Sequence, residues 1–339
     1  MPKLLVRLFT LICAAQPTSI GGQAVMEGVM MRNGDVYALA LRRADGEILA
    51  ESRPWFSLTR GWLKKPFVRG FPTLIETLVN GIKALNLSAM CCAEGEGEEI
   101  KGWHLVLTMI VAMAMAMGLF VVAPHLFSLG MQWLGLGGGV EGVSFHLWDG
   151  LFKFAIFVGY ILAISLVPDI RRVFQYHGAE HKVIRAFESG EPVTLSATRR
   201  YSRLHPRCGT TFLLFVLSLA IILHTVTVPL LLLAWTPESA VSKHAGILIF
   251  KLLLMIPISA LAYEIIRYAA RLGDNLWGTM LRAPGMFLQL LTTWEPDDSQ
   301  LEVAIVSLAV ALGPDIPPSM HVPAHSPLRS DHACQTGKP

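Results

Sequence analysis

The chain reads as an α-helical membrane protein of about four transmembrane helices, with a small N-terminal antiparallel β-meander and a cytoplasmic helical linker. Three observations predict this class. Hydrophobic residues make up 53% of the 339 and charged residues only 16%, against about 45–50% and 25% in soluble chains. The mean hydropathy is +0.50. Four stretches approach the roughly 20 apolar residues that a helix needs to cross a bilayer. A purely soluble enzyme is thereby excluded. A net charge of +3 without a dominant Lys/Arg block gives no case for nucleic acid. Five scattered cysteines (13, 91, 92, 208 and 334) do not make a secreted disulfide scaffold.

In chain order, residues 1–19 are expected to be a tail and 20–100 a cytoplasmic meander plus helix. Val29–Arg32, Val36–Arg43 and Ile48–Arg53 are short apolar or alternating runs, separated by Asn33-Gly34 and Asp45-Gly46, which are strong hairpin signals. The glycine-rich opening Ile20–Gly28 matches neither dinucleotide nor P-loop spacing and reads as a turn into the meander. After Pro72, Leu74, Leu78, Ile82 and Leu85 recur at helical spacing, before an acidic stretch (Glu94, Glu96, Glu98, Glu99) that reads as a solvated linker.

Spans one and two fall within 101–167, at Trp103–Ala123 and Leu151–Val167. Spans three and four fall within 211–266, at Thr211–Trp235 and Ala245–Tyr263. The linker 124–150 lacks Lys and Arg, whereas the second linker (168–210) holds Arg171, Arg172, Lys182, Arg185, Arg199, Arg200, Arg203 and Arg207. The positive-inside bias therefore predicts a plasma-membrane protein with both termini and the second linker cytoplasmic. Lys251, about two turns inside span four, is expected to snorkel to the interface. His224 lies alone in mid-span three, where a partner across the bundle would satisfy it. A transport role is thin, because the spans read this way offer only Lys153, His224 and Lys251. Residues 267–313 are expected to form cytoplasmic helices, and the apolar stretch 284–291 could be re-entrant. Asp297 and Asp298 open a last helix carrying Leu301, Ile305, Leu308 and Leu312. The chain after Pro314 reads as disordered.

The second linker carries the chemistry. Pro168 suits the end of a span, Asp169 an N-cap and Gly190 a helix stop. At 100° per residue, Ile170, Val173, Phe174, His177, His181 and Ile184 share one stripe, with Glu180 at its edge and Glu188 back at its centre. Imidazoles on the face that should be apolar are costly without partners, and a metal ion would supply them. The spacing H-x-x-E-H is that of the inverted zinc-protease motif. His205 and Cys208 close the same linker, and imidazole and thiolate both suit zinc. His177, His181, His205 and Cys208 would make a tetrahedral, structural site. Three ligands plus water would make a catalytic one, with Glu180 as general base. The plainer alternative is a pair of hydrogen-bonded helix histidines beside an inert buried thiol.

The strings GGQAVMEGVMMR, YHGAEHK, HPRCGT and LTTWEPDDSQLEVAI, in that order from about Ile20 to Leu312, resemble the YqhQ-like family of bacterial multi-pass membrane proteins of unknown function. That resemblance implies a metal-dependent enzyme and supports His177, Glu180, His181, His205 and Cys208 as site residues. It also promotes Gln23, Glu27 and Arg32, beside Glu188, as residues supporting the site. It transfers no substrate. The expectation is a membrane-embedded, zinc-dependent hydrolase facing the cytoplasm, with the lipid bilayer as its one named partner. The rival is a non-catalytic assembly or scaffold protein held by a structural metal or polar cluster.

Overall fold

The computed structural model describes residues 20–95, 102–206, 208–235, 237, 239–272 and 276–327. The N-terminal tail, most of the acidic stretch, Arg207 and the last twelve residues of the expected C-terminal tail lie outside them. Helical structure predominates, with four helical stretches long and apolar enough to cross a membrane: Val106–Trp133, Val143–Ser165, Thr211–Ala234 and Ala240–Ala269.

The sheet begins one strand earlier than the turn signals imply. β1 (Gly21–Val25), β2 (Gly28–Asn33), β3 (Val36–Arg42) and β4 (Ile48–Pro54) form an antiparallel meander in that order. The opening read as a turn is β1 itself. Its hairpin to β2 turns at Met26-Glu27, with Glu27 at φ 52°. Gly34 and Gly46, at φ 58° and 87°, take the left-handed geometry of the two expected hairpins. A fifth strand, β5 (Ser326–Pro327), pairs parallel with β4 (Leu49 opposite Ser326). This stretch of the chain after Pro314, expected to be disordered, is pinned at the sheet edge. His321 N–H also donates to the Val193 carbonyl, and Met320 is buried.

Helix α1 (Gly70–Gly95) shows why periodicity alone misreads a face. Leu78 and Leu85 are exposed, whereas Glu76, Asn80, Ala84 and Ser88 are buried. Glu76 accepts from Ser57 Oγ (2.9 Å) and from the Leu58 and Thr59 backbone N–H groups. Asn80 bonds both polar groups of the Phe56 backbone. Burial would push the Glu76 carboxyl up, but the bonds from Thr59, Ser57 and Leu58 outweigh it and hold the group below its ordinary value. Glu76→Gln is therefore expected to cost about 2–3 kcal/mol, as hydrogen bonds to charged groups do. A carboxyl held low stabilises above its unfolded pKa of 4.5 and loses that contribution as pH falls through the lower folded value. Thermal melts of the full chain in detergent should show an acid-side loss in wild type that is weaker in E76Q.

The first candidate span runs through α2 (Gly102–Met117), a π-turn at Gly118–Val122 and α3 (Ala123–Trp133). The second is α4 (Val143–Ser165), which starts eight residues before Leu151 and so adds His146 and Asp149 to the bundle. α5 (Pro168–Glu188) follows at once, with Pro168 as its first residue rather than the end of the span and Val167 at the cap position. Asp169 sits in the first turn, where a carboxylate suits the helix dipole. Gly190 at φ 75° ends the helix. After the short α6 (Leu195–Thr198) come α7 (Gly209–Ala234) and α8 (Ala240–Arg271), the third and fourth spans. α9 (Leu276–Thr292), containing the stretch 284–291, lies along α7, and Gly285 touches Thr211.

The last helix, α10 (Asp298–Leu312), has a capping box between Asp297 and Gln300. Its Leu301, Ile305 and Leu308 are fully buried. They join Val29, Met31, Ala38 and Ala40 of the sheet with Tyr176, Ala179 and Val183 of α5 in one core. The core clamps α5 between sheet and α10 and so fixes the helix that carries the histidines.

Candidate metal centre

The i, i+4 spacing places His177 and His181 one above the other on α5, with ring centroids 4.4 Å apart. Cys208 arrives from the turn before α7, where its N–H bonds the His205 carbonyl. The ligand atoms of His177, His181 and Cys208 all lie within 4.8 Å of one another, and they form the single such trio among the described residues. His177 Nε2 is 3.1 Å from Cys208 Sγ.

Both rings are oriented from behind. His177 Nδ1–H donates to the Thr292 carbonyl (2.8 Å) and His181 Nδ1–H to the Arg203 carbonyl (2.6 Å). A carbonyl can only accept, so each neutral ring keeps its lone pair on Nε2, aimed at the thiol. Metal-binding histidines are held in this way. His181 Nε2 is buried beside the Cys208 thiol, and burial lowers the pKa of that ring, which favours the neutral, ligating form.

Glu180 is 4% exposed. Burial pushes its carboxyl up to about 8, opposed by neighbouring His177, and the Gly22 N–H donates to it. Gly22 has no room for a side chain: a Cβ there would sit 2.8 Å from the Glu180 carboxyl and from the Met30 carbonyl oxygen. The glycine-rich opening thus lays bare strand backbone against the carboxyl.

The other expected residues lie around this centre. His205 is buried, its ring centroid 5.6 Å from that of His181, and its Nε2 is 3.3 Å from Glu188. Burial, with Arg185 nearby, lowers its pKa to about 4. Its backbone N–H and carbonyl are both gripped by Gln289 of α9 at 2.8 Å. His205 therefore neighbours the trio without joining it, and Glu188 pairs with His205. Gln23 packs against Gly81 of α1. Glu27 holds the outer side of α5 through a two-pronged ion pair with Arg172 and a 3.3 Å bond from Tyr176. Arg32 stacks 4.0 Å from the Trp55 ring. These three support the sheet and its neighbours rather than the trio.

Sequence reasoning passed over four positions that the site needs. Thr292 and Arg203 serve through carbonyls, which leave no mark in the side-chain pattern. Gln289 hides on an apolar helix. Gly178 touches the Trp294 carbonyl, so α5 and the segment after α9 meet backbone to backbone. The strings YHGAEHK and LTTWEPDDSQ contain two of these four, Gly178 and Thr292.

Residues 65–313 match the model of a family described as proteins of unknown function, DUF1385. The chain is also 34% identical over 313 residues to the "Uncharacterized protein YqhQ" of Bacillus subtilis (strain 168), covering 86% of this chain and 91% of that one. No solved structure matches. A family model spanning most of the chain and a relative alike over nearly its whole length lead to one conclusion: the protein belongs to the DUF1385 family.

Proposed function

We propose that the protein is a zinc-dependent, hydrolase-like enzyme embedded in the plasma membrane, with its site facing the cytoplasm. One observation carries the reading: His177, His181 and Cys208 bring three ligand atoms within 4.8 Å, both rings tied through Nδ1 to carbonyls. Two imidazoles and a thiol are a zinc-type donor set, and three protein ligands are the number that leaves a coordination position open. A bound zinc ion would supply Lewis acidity at that position. The chain's own residues do the rest. Thr292 and Arg203 orient the rings, and Glu180, carrying its proton below about pH 8, holds or exchanges that proton beside the trio. The sheet and α10 exclude solvent from behind.

The side of the membrane is read from the basic residues of the linker 168–210, facing a first linker without Lys or Arg. Reporter fusions at either end of the full chain should report the cytoplasm.

A second reading, a non-catalytic assembly or anchoring protein stapled by the same cluster, is favoured by a different observation. Gly22 and the strand behind it close Glu180 off from solvent.

Elemental analysis of the purified full chain tests the metal. About one equivalent of zinc is expected in wild type. It should be lost in His177→Ala, His181→Ala and Cys208→Ala and kept in Glu180→Gln and His205→Ala. Loss in His205→Ala would mean a closed four-ligand site and favour the stapled reading. No metal in wild type would end both metal readings.

A further inference from the structure

The four-helix bundle buries a second polar cluster, separate from the trio. Asp149 Oδ2 takes Lys251 Nζ at 2.8 Å and Lys153 Nζ at 3.3 Å. All three residues are buried, Lys251 with 2% exposure and Asp149 with 1%. Lys251 does not snorkel to the interface: its ammonium reaches across to the neighbouring span instead. His224 of α7 bonds the Lys251 carbonyl through Nε2 (3.2 Å), and His146 of α4 bonds the Val140 carbonyl (2.9 Å). Behind them, His125 of α3 pairs with half-buried His244 of α8 (2.9 Å).

At 1.5 Å per residue, Lys153 lies about 15 Å in from the start of α4 and Lys251 about 16 Å in from the start of α8. His224 lies about 15 Å from the end of α7 at the same side. These three groups sit near the middle of a hydrocarbon core about 30 Å thick. His146, His125 and His244 lead from them towards the end of the bundle that carries residues 134–142, opposite the linker 168–210. Ionisable groups at that depth are costly and are most often functional.

The charge count does not close. Two lysines face one aspartate, so the fully charged triad leaves one uncompensated positive charge in a medium that opposes it. Three explanations compete. A metal is excluded by spacing, since the trio at Cys208 is the one metal-compatible group among the described residues. A bound anion would find donors in the two lysine ammonium groups, but it would also meet three buried acceptors without a hydrogen-bond partner, Asp149 Oδ1, His146 Nδ1 and His224 Nδ1. Because Nε2 of each of these histidines donates to a carbonyl, each Nδ1 is a lone-pair acceptor, as Asp149 Oδ1 is. Unpartnered acceptors disfavour an anion and can each take a proton. The remaining explanation is that the proton number varies.

We propose that the bundle holds a proton-exchange site in which Lys153 and Lys251 together carry one firmly held and one exchangeable ammonium proton against Asp149. His224 and His146 take up that proton, and the His125–His244 pair connects the site to the end of the bundle that carries residues 134–142. The step balances simply. One N–H bond of a lysine ammonium breaks and one N–H bond forms at an imidazole Nδ1, which has no hydrogen bond at rest, so the ammonium swings to reach it, and nothing is oxidised or reduced. The site gains one positive charge for each proton that enters and loses it when the proton leaves by the same mouth. The groups facing the triad are His125 from α3, His146 from α4 and His224 from α7, with His244 from α8 behind His125. The exposed Lys243–Glu141 ion pair flanks the mouth.

Nitrogen NMR of the full chain in lipid, grown with ζ-labelled lysine, tests this directly. At about pH 8 one lysine signal should lie at the neutral-amine position, and by about pH 5 it should move to ammonium, the range reached by buried lysines. The amine-to-ammonium ratio should change about tenfold per pH unit on either side of the midpoint. The signal should vanish in Lys153→Met or Lys251→Met. His224→Gln, which keeps a bond to the Lys251 carbonyl but takes no proton, should move the midpoint. A spectrum with every lysine as ammonium across that range would overturn the proposal. So would a titration suppressed by added chloride, which would mark an anion site, and an unmoved midpoint in H224Q would remove the imidazole from the exchange.

Discussion

Gly178→Ala is expected to damage both the fold and the proposed metal centre. A Cβ at position 178 would sit 2.1 Å from the Trp294 carbonyl oxygen and 3.3 Å from Pro296. Neither obstacle is the free end of a side chain. Trp294 N–H is itself bonded to the Phe174 carbonyl at 2.9 Å, so backbone must move. Overpacking of this kind costs about 3 kcal/mol, at the upper end for small-to-large changes. The same displacement shifts Thr292, whose carbonyl orients His177. Losing such an orienting partner weakens metal binding about 10–100-fold. Thermal melts with and without zinc, alongside competition with a chelator, would read both effects. A variant that melts like wild type and keeps its zinc would show that the approach of α5 to the segment after α9 is looser than the geometry requires.

The second large effect lies in the apolar helix bundle. Asp149→Ala leaves Lys153 and Lys251 facing each other without a counter-charge, and removing one partner from a buried pair typically costs about 3–5 kcal/mol. Replacing all three by apolar residues of similar size (Asp149→Leu, Lys153→Met, Lys251→Met) should recover most of that stability, because it removes the desolvation cost along with the attraction. The measurement is the thermal midpoint of each full-length variant in one detergent. An Asp149→Ala protein as stable as wild type would mean that the lysines shed their charge freely, and recovery failing in the triple variant would mean that the triad shapes the packing.

Some of this was legible from the residue order alone, and the reason is range. Hairpin turns, helical spacing and span length are set by neighbours a few residues apart. Asn33-Gly34, the His177–His181 pair and the four apolar stretches could therefore be read directly. Where a side chain's partner is distant, reading failed in a consistent way. Lys251 was assigned to the interface because its ion-pair partner lies 102 positions away. The helical spacing of Leu78 and Leu85 likewise does not say which face is buried, because nothing local announces that Glu76 grips the segment 57–59.

By itself the sequence determined the chemistry on offer: four apolar helical stretches, a meander, two histidines a turn apart, and a thiol and a third imidazole in the same linker. Only the tertiary structure decided that Cys208 joins the trio while His205 turns to Glu188, that Gly22 lies against the Glu180 carboxyl, and that Asp149 meets two lysines within the bundle. The physical reason is that helix geometry acts over one or two turns, whereas choosing among ligands or pairing buried charges depends on which helices pack together. That packing is settled by the whole core at once.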